Sequence, residues 1–154
     1  MEKQILLLGV LLTLGCGVEP LDIQRYPQAN TTKPSALQIE KCRKWMHIQT
    51  DTEITANGLQ IETGKDTCAA FKFVAHTTDP KKLFDPIIVD ASKFSQRETY
   101  YGLNIPMFSQ SWWDFSKHVL NGGNFEIPNA EWLNIGYKSN DDDTLTVYVT
   151  WGET

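Results

Sequence analysis

Long apolar runs are scarce in this chain of 154 residues: beyond residue 15 none approaches the roughly 20 residues needed to cross a bilayer. Positive charge is scarce too. Fourteen Lys and Arg stand against nineteen Asp and Glu, a formal net charge of −5, so the chain lacks the basic surface that nucleic-acid binding needs. There are only three histidines, His47, His76 and His118, and no two fall at a His-x-His or His-x₃-His spacing; with no metal-ligand spacing, neither a metal nor a cofactor is expected. No Gly-x-Ser-x-Gly elbow occurs, which removes the commonest local signature of a serine hydrolase. What remains, at 41% hydrophobic, 21% charged and 11% aromatic, describes one globular domain and excludes extensive disorder.

The one apolar run, Ile5 to Leu14, would make a helix of about 15 Å, half the hydrocarbon thickness. Its anatomy is that of an export signal. The residues that close it, Leu12-Thr13-Leu14-Gly15-Cys16, resemble the lipobox of bacterial lipoproteins, with Thr13 standing where that family usually carries leucine. The resemblance covers the first sixteen residues. It implies cleavage before Cys16, acylation of that cysteine by diacylglycerol and a further chain such as palmitate, and a bilayer partner reached through Cys16. Gly17 after the cysteine implies forwarding to the outer membrane, with the domain facing the periplasm or the cell surface. Two or more acyl chains hold a protein firmly, at about 0.8 kcal/mol per buried methylene. The alternative is plain secretion with cleavage near Gly17.

Three cysteines leave one unpaired in an oxidising compartment. With Cys16 assigned to lipid, Cys42 and Cys68 remain and can pair. Such a disulfide closes a loop of about 27 residues and stabilises by about 3–4 kcal/mol on the chain-entropy model. The alternative is two separate buried thiols.

The chain then divides into a signal peptide over 1–15, a lipidated N-terminus and flexible tether over 16–34 interrupted by Pro20, Pro27 and Pro34, and a single domain over 35–154. Ser35 with Gln38 forms a capping box ahead of a helix whose stripe is Ala36, Ile39, Cys42 and Met46. Asn57-Gly58 between Ile54–Ala56 and Leu59–Ile61 predicts a hairpin, because both turn positions suit positive φ. Residues 69–76 alternate as a half-buried strand, and Ile87–Val89 reads as a short buried one. Ser111-Trp112-Trp113-Asp114 predicts a second capping box and a helix carrying Trp112, Phe115 and Val119 on one face, stopped by Asn121-Gly122-Gly123. Leu133, Ile135 and Tyr137, a polar turn over 138–144, and Leu145, Val147, Val149 and Trp151 form the clearest hairpin. The fold expected is α+β, a small antiparallel sheet with two short helices and one disulfide.

Few residues point to chemistry. Asp114 and His118, four apart, are half of a nucleophilic triad, or else an exposed pair on a helix's polar side. Asp141-Asp142-Asp143 lacks the alternating spacing that wraps calcium and suits a solvated turn. No catalytic residue is assigned. Aromatic side chains crowd the segment 100–132, and Tyr100, Tyr101, Trp112, Trp113 and Trp132 form a candidate binding patch, the alternative being core filling. The function expected is a non-enzymatic binding module anchored in the envelope, with a protein or glycan partner, in the manner of an inhibitor or immunity protein; the acidic charge suits a basic target. A small envelope hydrolase and a structural assembly factor are the alternatives.

Overall fold

Apolar and polar side chains alternate along several stretches of the chain. In the computed structural model, which describes residues 28–97 and 102–154, those stretches are strands. In chain order come β1 (Ala29–Thr31), α1 (Ala36–Trp45), β2 (Ile54–Glu62), β3 (Cys68–Ala75), β4 (Ser95–Arg97), β5 (Leu120–Ile127), β6 (Glu131–Ser139) and β7 (Leu145–Glu153). They make one seven-stranded sheet of order β1-β2-β3-β7-β6-β5-β4, antiparallel throughout. β7 is central, and its side chains are buried from Leu145 to Gly152.

The two sheet faces are covered by different parts of the chain. One face carries Leu59, Ile61, Phe71, Phe73, Leu133, Ile135, Val147, Val149 and Trp151 against Cys42 of α1, its C-cap Met46, and Leu83, Phe84 and Val89 of the β3–β4 connection. Each such side chain contributes about 1.5–3 kcal/mol by leaving water. Trp151, fully buried, stacks on Trp45 with ring centroids 5.1 Å apart. The other face carries Ala70 and Tyr148, covered by Leu103, Phe108 and Trp113 of the segment leading into β5. The chain therefore crosses one face to reach the edge strand β4 and returns over the opposite face.

Where local pattern and long-range pairing agree, the expected elements form. The Ser35 cap is complete: the Ser35 N–H donates to Gln38 Oε1 at 2.8 Å and the Gln38 N–H to Ser35 Oγ at 3.3 Å. The C-terminal hairpin pairs Leu133 with Trp151, Ile135 with Val149 and Tyr137 with Val147.

Five expectations are corrected. The disulfide between Cys42 and Cys68 does not form; both thiols are free. Cys42 lies under α1 on the first face, while Cys68 shares the parity of Ala70 and Lys72 and packs on the second, so the sheet stands between them. The second helix is absent, and only a 3₁₀ turn at Phe115–Lys117 remains. Gly122 and Gly123 do not stop a helix but lie in β5, where a Cβ on Gly122 would sit 1.9 Å from the Ile135 carbonyl oxygen. Asn57-Gly58 is not a turn: β2 runs through it with a register shift between Ala56 and Gly58, and no described glycine has positive φ. That is a β-bulge, with Asn57 the extra residue. Ile87–Val89 is not a strand: residues 86–88 form a turn, with Ile87 exposed and Val89 buried. Finally Ala29–Thr31, placed in the tether by its polar sequence, pairs with β2 as an edge strand.

Candidate functional site

Small side chains make the second face receptive. Gly58, Ala70, Gly136, Thr150 and Gly152 leave it flat, and residues 102–119 lie across it. The Trp112 ring rests on Gly58, where an added Cβ would meet Cε3 at 2.2 Å. Trp113 is buried edge-on against Tyr148, with its indole N–H donating to the Leu103 carbonyl at 3.1 Å. The Gly102 carbonyl accepts from Thr150 Oγ1 at 2.7 Å and from Asn134 Nδ2 at 3.2 Å.

A polar cluster ties the segment down. Asp114 Oδ1 accepts from Lys72 Nζ at 2.7 Å and from the Tyr148 hydroxyl at 2.8 Å, and Oδ2 lies 3.8 Å from His118 Nε2. The Lys72 ammonium sits 5.2 Å from the Tyr148 ring centre. Partial burial alone would raise the Asp114 carboxyl; the hydrogen bonds from Lys72 and Tyr148, with the ammonium charge, outweigh it and hold the group below the usual carboxylate range. Burial, then the bond to Asp114 and its charge, push the Tyr148 phenol up. Asp114 and His118 thus do converge, beside two polar groups that sequence spacing does not bring near. Tyr148 is fully buried, and among the described residues no serine or cysteine hydrogen-bonds His118. The geometry is that of an anchor, one carboxylate holding a loop to a strand of each of two hairpins.

Among the described residues, Trp112, Trp113 and Trp132 do not form one patch. Trp113 is core, at 5% exposure. Trp112 is half-buried over Gly58, whereas Trp132 lies over Gly152, four residues along β7 from the Tyr148 that shares Gly58's row. Tyr100, Tyr101 and Cys16 lie outside the described residues.

Trp132 instead walls a groove of about 570 Å³ at the end of the sheet, lined also by Glu62, Asp66, Cys68, Ile105, Met107 and Glu153. Its floor follows from register: Glu62 pairs with Cys68, Cys68 with Gly152, and Gly152 with Trp132, so four strands contribute one row. The Trp132 ring lies flat against Gly152, since a Cβ there would come within 2.2 Å of Cζ2. Met107, also in the lining, is 49% exposed, and the Cys68 thiol donates to its sulfur at 3.2 Å. Behind the rim Gln60, 4% exposed, donates through Nε2 to Glu62 Oε1 at 2.7 Å and to the Met107 carbonyl at 3.0 Å. Gln28 reaches the other Glu62 oxygen at 3.4 Å. Burial, then the Glu62 and Asp66 carboxylates, push the Cys68 thiol up. Of these groove residues the sequence singles out Trp132 for binding and Cys68 only as a disulfide partner, because the row exists only once four strands are paired.

Asp141–Asp143 sit in the β6–β7 turn, where Asp142 Oδ1 accepts from Thr144 Oγ1 at 2.6 Å and Asp143 takes φ 58°. Among the described residues no three His, Cys, Asp or Glu side chains are grouped to hold a metal ion. No protein-family model, curated protein or solved structure matches the chain.

Proposed function

We propose that this chain is a lipid-anchored protein of a bacterial envelope whose domain binds a partner, without catalysing a reaction, through the groove beside Trp132. The observation that carries the reading is that Met107, half-exposed, and Trp132, partly exposed, line one groove, with Met107 fixed from behind by buried Gln60. Large apolar side chains left accessible in a pre-shaped concavity are what interfaces use as anchors. The lipobox-like segment supports a bilayer tether at Cys16, and residues 17–28 ahead of β1 can reach about 40 Å when stretched. The hydrolase reading is weaker, because the Asp114 carboxylate that would orient His118 is already neutralised by Lys72.

A photo-crosslinking amino acid in place of Met107, in living cells, tests the surface. Ile87, 89% exposed in the connection that covers the first face, is the control. The expected result is a discrete cross-linked product from position 107 and not from 87. No product at 107, or the same products at both, overturns the reading.

A further inference from the structure

Resting on the groove as the binding surface, we propose that its occupant is a positively charged side chain, lysine or arginine, presented by a protein partner. Three carboxylates, Glu62, Asp66 and Glu153, line the groove against one ammonium, Lys65. Glu62 is fixed rather than free, held by the buried amide of Gln60 and by Gln28. A carboxylate oriented by two amide donors keeps lone pairs for a third donor without reorganising. The Trp132 face and the Met107 thioether supply the apolar and polarisable walls that an alkyl stem and a cationic head prefer. The thiol of Cys68, between these groups, reports the local field: besides burial, it is the nearby Glu62 and Asp66 charges that disfavour its thiolate. The chain's net charge of −5 adds attraction at longer range, steering a basic partner toward the surface.

Cys68 makes the test possible without knowing the partner. In the full-length protein in neutral detergent, its modification by a trimethylammonium-bearing methanethiosulfonate is compared with that by a sulfonate-bearing one, read on the tryptic peptide containing Cys68. The expected ratio of cationic to anionic rates exceeds that of 2-mercaptoethanol by about fivefold or more at low salt and falls toward it at about 1 M salt. Glu62→Gln with Asp66→Asn brings the ratio to within about twofold of the free thiol. A Gly-Lys-Gly peptide, blocked at both ends, slows the modification, and the norleucine and glutamate peptides do not. A ratio no higher than that of 2-mercaptoethanol overturns the proposal, as does equal protection by the three peptides or stronger protection by a chitin oligosaccharide. Because the assay needs no partner, it succeeds or fails independently of cross-linking at position 107.

Discussion

Single residues decide how the loop over the second face is held. Asp114 takes two short hydrogen bonds on one oxygen. Asp114→Asn leaves Lys72 half-buried without its counter-charge, and a loss of about 1–3 kcal/mol is expected in urea denaturation at pH 7. The pH dependence follows in sign. The folded carboxyl titrates below its unfolded value near 4, so its contribution is complete above that value and is lost as pH falls through the folded pKa. Urea midpoints at pH 7, 5 and 3 should therefore fall more steeply in the native sequence than in Asp114→Asn. Equal slopes would remove Asp114 from the acid limb. Gly58 is a second such position. Gly58→Ala drives a Cβ into the Trp112 ring, and a cost of about 1–3 kcal/mol is expected, falling below about 0.5 kcal/mol in a Trp112→Ala background.

At the scale of elements, the parts legible in sequence are those whose local chemistry and long-range pairing agree. Ser35 and Gln38 cap α1 whatever lies beyond it, and Ser35→Ala should cost about 1 kcal/mol while Ser35→Asn costs little, by thermal denaturation. The β6–β7 hairpin is equally legible because slipping either strand by one residue would expose its apolar set. Elsewhere distant pairing overrides the local signal. Asn57-Gly58 has turn chemistry, yet β3 offers partners on both sides of it, from Ile54 opposite Ala75 to Glu62 opposite Cys68, so the chain stays extended and absorbs one residue as a bulge. Ser111–Gly123 has a cap, a stripe and a stop, yet β6 pairs with the strand through Gly122 and Gly123, and aromatic side chains serve a sheet surface as readily as a helix. The groove was illegible for the same reason: Glu62, Cys68, Gly152 and Trp132 adjoin only through three strand pairings.

On the scale of the whole molecule, the sheet is a partition. It keeps Cys42 in a dry layer, where burial pushes the thiol up to about 12, and sets Cys68 in the groove on the other side. Reductant should therefore leave the melting temperature unchanged, and a colorimetric thiol reagent should find Cys68 in the native domain and Cys42 only after unfolding. It also separates the two faces, a packed side beneath α1 and a side bearing the groove. Intact mass spectrometry of protein extracted from membranes and alkylated under non-reducing denaturing conditions tests this arrangement most directly. The expected result is an N-terminus at Cys16 carrying an acyl mass, with alkyl groups on both Cys42 and Cys68. A chain beginning elsewhere without lipid, or two hydrogens lighter with neither thiol alkylated, would contradict it.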